Sequence, residues 1–272
     1  MQISYTKTFP RWVSYLWVVF ALPMLLFISL PLISLVMRTS PETLLHGFSL
    51  SQVQQAVILS LLTSSITTGI SILMGTPVAY LLARHRFRFY RVIDTLVDLP
   101  TVLPPAVAGV ALLMAFGRRG IFGSLLADAG FTIPFTIVAV VMAQTFIAAP
   151  LYIKAATIGF TNVSCELKQA AALDGASKIE TFRFIMVPMS WKALVNGSVM
   201  TWARAMGEFG ATMIFAGNFP GRTQTMPLAI YIGFEIDMNV ALTLSVILIG
   251  FSFLTLVIVK DILHRQYEDT VE

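Results

Sequence analysis

The feature that most limits what this chain can fold into is a series of long apolar runs separated by short polar segments. The first run, Trp12 to Met37, is long enough to cross a bilayer with some tilt, since about 20 apolar residues in a helix span the hydrocarbon core. It is too long for the apolar part of a signal peptide, and it ends in Met-Arg-Thr-Ser rather than a small-x-small site, so it reads as uncleaved. Hydrophobic residues make up 57% of the 272 positions and charged residues only 12%, which places several runs in lipid. The expected architecture is an all-α polytopic membrane protein, a single transmembrane domain over 1–272. Its six transmembrane helices fall at 12–37, 55–82, 95–116, 133–153, 193–215 and 240–259. The segments between them, including 38–54 and the stretch with Pro220 and Pro227, read as loops, and residues from Lys260 onward as a polar tail.

Two of these spans carry unusual chemistry. The second is dense in small and hydroxylic residues, Ser60, Thr63, Ser64, Thr67 and Gly75 among them, as helices packed against one another in a membrane are. The third opens with Asp94 and Asp98 and is interrupted by Pro100, Pro104 and Pro105. Proline removes amide donors, so broken backbone at that depth must lie against protein or a cavity.

Lysine and arginine set the orientation. With the N-terminus inside, the inner segments hold Lys7, Arg11, Arg84, Arg86, Arg88, Arg91, Lys154, Lys168, Lys178, Arg183, Lys192, Lys260 and Arg265. The outer loops hold Arg38, Arg118, Arg119 and Arg222, and Arg204 is the last of the 18 basic residues, within a span. This asymmetry predicts that both termini are cytoplasmic. The net charge of +4 sits in short loops and does not indicate a nucleic-acid partner. Membrane lipid is the expected surrounding.

The inner segment 164–188 reads SCELKQAAALDGASKIETFRFIMVP. Ser164 is placed to cap a short helix, with Glu166 in its first turn. Gly175 supplies a stop, and Ser177 with Glu180 forms a capping box that starts a second helix. The spacing therefore predicts a polar helical hairpin between membrane spans, with Ala170, Ala171 and Ala172 keeping its first helix slim enough to enter another protein's groove. In the fifth span, Arg204 and Glu208 stand four apart on one helix face. A charge near mid-bilayer costs on the order of 3 kcal/mol, so each needs a partner or water. They either line a translocation path or its gate, with Gly207 and Gly210 baring the backbone beside them, or form a structural ion pair between helices.

Catalytic machinery is missing. There is no G-x-x-x-x-G-K-[ST] phosphate cradle, no H-E-x-x-H and no G-x-S-x-G. His46, His85 and His264 fall in separate loops, and the one cysteine, Cys165, excludes an internal disulfide, so no catalytic residue, metal site or cofactor is expected. If transport needs ATP, another subunit must hydrolyse it.

Gln169, Ala170, Ala171, Gly175, Ile185, Val187 and Pro188 resemble the Glu-Ala-Ala loop of the membrane subunits of ABC importers. Gln169 stands where that family usually has an acid, and Val187 where it has leucine. The stretches Asp98–Gly120 and Ala203–Tyr231, with Phe-Gly-Ala-Thr at 209–212 and Gly-Arg-Thr-Gln-Thr at 221–225, are similar to the molybdate-transport permeases. The resemblance implies the type I ABC importer permease fold. It also implies a homodimer on a cytoplasmic ABC ATPase dimer, an extracytoplasmic oxyanion-binding protein, and alternating access in a plasma membrane. Gln169, Ala170, Ala171, Gly175, Ile185 and Pro188 would then couple the ATPase to the path. Tungstate is nearly isosteric with molybdate, and sulfate or thiosulfate permeases share the general scheme, so the anion stays open. The rival is a stand-alone gradient-driven transporter or channel using Arg204, Glu208, Glu235 or Asp237 as a charge relay.

Overall fold

The computed structural model describes residues 11–84 and 88–268; Lys7, His85 and Arg86, which enter the charge and histidine arguments, lie outside the described residues. In chain order the helices are α1 (Arg11–Arg38), α2 (Pro41–Ser49), α3 (Ser51–Ala83), α4 (Tyr90–Val102), α5 (Pro105–Phe116), α6 (Gly123–Asp128) and α7 (Ile137–Asn162). They continue with α8 (Cys165–Leu173), α9 (Lys178–Thr181), a π-turn (Phe182–Met186), α10 (Val187–Met206), α11 (Gly210–Phe215), α12 (Met226–Ile236) and α13 (Met238–Glu268). The architecture is all-helical and polytopic.

Four helical segments are long and apolar enough to cross a membrane: Trp17–Arg38, Ser51–Ala83, Ile137–Asn162 and Met238–Val257. The expected third span is the pair α4 and α5, bent by 117° between Val102 and Pro105. The cause is local: Pro104 and Pro105 lack N–H groups, and each biases the residue before it away from helix. Counting that pair as one crossing gives five. The expected fifth span is also divided, because α10 ends at Met206 and α11 starts at Gly210. Helix α10 packs against α3 and α7 in the interior, which lets it bury Ser190 and Thr201.

Several segments read as loops are helices. Ser40 accepts a hydrogen bond from the Thr43 N–H at 3.1 Å and starts α2, with Pro41 in its first turn. Pro227 likewise sits in the first turn of α12, a helix the loop reading missed. His46 lies in α2, and the backbone around His264 belongs to α13, which runs on through Glu268. Neither is a loop residue.

Three apolar clusters hold the elements together. Ala108 and Leu112 of α5, Val140 and Ala143 of α7, and Ala211 and Phe215 of α11 form one. Val53 and Ala56 of α3 join Met206, Met226 and Leu244 in the second. Tyr152 and Phe160 of α7, Ala79 of α3 and Met186 of the π-turn make the third. Buried polar groups pair between helices: Thr67 donates to Gln144 Oε1 at 3.2 Å, and the Met226 N–H donates to Ser60 Oγ at 2.7 Å. Helix α1, in contrast, buries none of its apolar window within the chain and turns Phe20 and Phe27 outward.

A charged clasp fixes α4 on α7. Lys154 Nζ lies 2.5 Å from Asp94 Oδ1 and 2.8 Å from Asp98 Oδ2, carboxylates one turn apart. All three side chains are roughly one-third exposed or more, so solvent screening limits the clasp to about 1 kcal/mol. Lys154→Met is expected to lower the thermal midpoint of the purified protein by a few degrees. Adding Asp98→Asn should return part of the loss, because the variant otherwise leaves two carboxylates facing each other. No loss on Lys154→Met would show the clasp to be energetically idle.

Candidate functional site

The hairpin forms from local signals. Ser164 Oγ accepts from the Leu167 N–H at 3.4 Å and opens α8. After Asp174, Gly175 takes φ +86°, a left-handed conformation that an L side chain resists. The Glu180 N–H donates to Ser177 Oγ at 3.2 Å, and the Ser177 N–H donates to Glu180 Oε2 at 2.7 Å, which completes a reciprocal capping box.

Ser177, through its backbone N–H first and its hydroxyl second, holds the exposed Glu180 carboxyl below the usual carboxylate range. The folded pKa is depressed, so the box contributes its stability above the unfolded carboxylate value and loses it as pH falls through the folded one. Amide exchange at Ser177 should accelerate beyond the intrinsic rate on acidification through that window. Glu180→Gln should flatten the response; an unchanged profile would show that the carboxylate does not hold the box.

Beyond the box the chain does not break. Pro188 has no N–H to give to the carbonyl one turn back, and the helix absorbs the defect as the π-turn, with the Val187 N–H bonding to the Phe182 carbonyl. Helix α9, the π-turn and α10 therefore form one continuous rod from Lys178 to Met206. The hairpin's second arm and the part of the expected fifth span up to Met206 are one element, roughly 40 Å long at about 1.5 Å per residue. Phe182 anchors the rod in the third cluster, with ring centroids 5.0 Å from Tyr80 and 5.6 Å from Phe160.

The hairpin residues divide by face. Gln169 and Ala170 are exposed, whereas Ala171 is 9% exposed and turned inward. Ile185 is half-buried beside the third cluster, and Pro188 is exposed in the first turn of α10. The most exposed apolar side chains of the hairpin are Leu173, at 89%, and Ile179, at 78%, with Phe184 of the π-turn and Leu167 less so. The motif reading passed over Leu173 and Ile179, although a leucine and an isoleucine in a polar hairpin were visible as exceptions to its pattern.

At the far end of the rod lies a braced break. Glu208 is 1% exposed, and its Oε1 accepts the Ala211 N–H at 2.9 Å, which caps α11. Its Oε2 lies 3.0 Å from Arg204 Nη1 in an ion pair without hydrogen-bond alignment. The Arg204 side chain is 38% exposed, whereas its carboxylate partner is sealed in. Gly210 meets α5 closely: a Cβ there would stand 2.8 Å from Pro105 Cβ. Gly207 has no such role, since a Cβ would meet only the Ala203 carbonyl at 3.7 Å. Arg204, Gly207, Glu208 and Gly210 are thus together, and the hairpin residues are remote from them, joined by the rod. Glu235 and Asp237 are exposed at the turn between α12 and α13, where Asp237 Oδ1 accepts from the Asn239 N–H at 2.9 Å. Among the described residues they make no ion pair with Arg204, so the charge relay of the rival reading is not assembled.

Apolar crossings, a braced break inside them and a hairpin projecting from their ends define a multi-pass membrane protein built for translocation. The chain belongs to the family of binding-protein-dependent transport system inner membrane components, whose sequence profile matches residues 71–272. It is 38% identical over 240 residues to the molybdenum transport system permease protein ModB of Mycobacterium bovis, covering 88% of this chain and 89% of that one. ModB of Escherichia coli strain K12 is 39% identical over 178 residues, 65% of this chain and 78% of its own. Among solved structures, a bacterial ABC transporter involved in the import of the acidic polysaccharide alginate aligns with a TM-score of 0.72 at 15% identity. That alignment covers 94% of this chain and 96% of the other, and it supports the type I permease fold alone.

Proposed function

We propose that this chain is the membrane subunit of an ATP-driven importer of molybdate, working as two copies on a cytoplasmic ABC ATPase dimer and receiving the anion from an extracytoplasmic binding protein. The observation that carries the reading is the unbroken rod between the outward-facing Leu173 and Ile179 side of the hairpin and the break at Gly207. Closure of the ATPases on ATP would move the hairpin, and a continuous helix would pass that displacement to Arg204 and the α10–α11 break. A rigid element loses little of the displacement over its length. The relatives named for molybdenum transport support the choice of anion, and the lysine and arginine asymmetry supports a cytoplasmic hairpin and cytoplasmic termini in a plasma membrane. The half-exposed Arg204 suits a tetrahedral dianion as cargo.

Reconstitution with the ATPase and binding protein tests this. Uptake of radiolabelled molybdate should require ATP and the binding protein, with tungstate competing and sulfate not. Uptake by the chain alone without ATP would overturn the importer reading, and equal competition by sulfate would overturn the anion. Reporter fusions after Lys178 should report inside and after Arg119 outside.

A further inference from the structure

A cavity of about 210 Å³ lies between the inner face of the hairpin and the ends of the membrane helices. Its charged lining is cationic: Arg84 at the end of α3, Lys168 on α8 and Lys178 at the start of α9, with Tyr80 beside them. No carboxylate lines it, and among the described residues none lies within salt-bridge reach of these three cations. Arg84 is already positioned, its guanidinium 4.4 Å from the centre of the Tyr80 ring and donating to the Tyr80 hydroxyl. The remaining lining is Thr181, whose hydroxyl donates to the Ser177 carbonyl at 3.0 Å, and apolar side chains that include Phe160.

The cavity is separate from the outward face of the hairpin. Lys168 and Ala172, four apart, line it, whereas Gln169 and Leu173 occupy the neighbouring helix face. An ATPase seated over Leu173 would leave the cavity on the adjacent face of α8, between the hairpin and the membrane helices. Three cations from three elements, none paired with a described carboxylate, gather over an apolar wall at the ends of membrane helices, a lining complementary to an anion that itself has an apolar neighbourhood.

We infer that this cavity is a phosphate site, taken by the phosphodiester headgroup of an anionic phospholipid or by free phosphate, which ties the hairpin to the ends of α3 and α7. A phosphate oxygen can accept charge-assisted hydrogen bonds from all three cations at once, and basic pockets beside membrane helix ends are suited to such headgroups. The site does not depend on which anion is transported.

The test uses the purified full chain in phosphatidylcholine nanodiscs with a rising fraction of phosphatidylglycerol, counting retained lipid by native mass spectrometry. The triple variant Arg84→Gln, Lys168→Gln, Lys178→Gln should lower phosphatidylglycerol retention roughly tenfold, while Lys192→Gln, at an exposed cation outside the cavity, should change it less than about twofold. Orthophosphate supplies the second arm. Displacement of the lipid, or binding of orthophosphate alone, that is lost in the triple variant identifies the free ion as the source; lipid retained in its presence identifies the headgroup. Equal retention by the triple variant and the parent, with no orthophosphate binding that the variant loses, overturns the site, as does an equal loss on Lys192→Gln. A monodisperse elution profile for every variant separates these outcomes from misfolding.

Discussion

Leu173→Asp, alone or with Ile179→Asp, is expected to abolish ATP-driven uptake while leaving the amount of protein in the membrane unchanged. Both side chains are more than three-quarters exposed, so neither supports the fold, and their replacement removes no internal packing. On the proposed importer reading their value lies in the ATPase that covers them. An apolar anchor at the centre of a protein interface contributes about 2 kcal/mol or more, equivalent to roughly thirtyfold in association. A carboxylate placed there would also have to be desolvated without a partner. Co-purification with the ATPase should fall with uptake. Ala171→Glu addresses a different question, because Ala171 is turned inward: that change would force a carboxylate into the hairpin's own packing and should reduce membrane level as well. Normal uptake and normal ATPase recovery with both aspartates in place would remove this face from the coupling path.

Sequence and structure agree where the signal is local and differ where it depends on neighbours. The hairpin was legible because its devices are short-range: the Ser164 cap, the left-handed Gly175 and the Ser177–Glu180 box each involve residues within a few positions of one another. Lengths of apolar sequence placed α1, α3 and α13 for the same reason. Proline misled in both directions. Pro41 and Pro227 were read as loop residues yet stand in helical first turns, where a missing N–H costs nothing. Pro188 marked an end to the hairpin, yet a single π-turn carries the helix past it. The directions of Ala171 and Leu173 depend on what the hairpin packs against, and the Lys154 clasp joins residues some 60 positions apart. No pattern of spacing reports either. Arg204 and Glu208 were legible as a pair, but not the capping of α11, because the break in the helix was not foreseen.

That break sets the second large effect. Arg204→Met leaves the Glu208 carboxylate buried with one hydrogen bond and no counter-charge, a loss of about 3 to 5 kcal/mol for a buried pair, discounted here because Arg204 is 38% exposed. Membrane level should fall. Glu208→Gln keeps an oxygen to accept the Ala211 N–H and removes the charge, so its effect on folding should be smaller; Glu208→Ala, which also removes the cap on α11, should be worse. The double variant Arg204→Met, Glu208→Gln has neither an unpaired charge nor a missing acceptor, and membrane level should return toward that of the parent. Uptake should not return with it. On the proposed importer reading the 38%-exposed Arg204 side chain attracts the anion, and methionine at 204 would replace it with an apolar surface that leaves a dianion without a cation. The cycle therefore separates two roles within one pair: Glu208, which caps α11 and holds the shape of the break, and Arg204, which on the proposed importer reading presents charge to the path. Restored uptake in the double variant would assign both residues to structure and move the anion's route elsewhere.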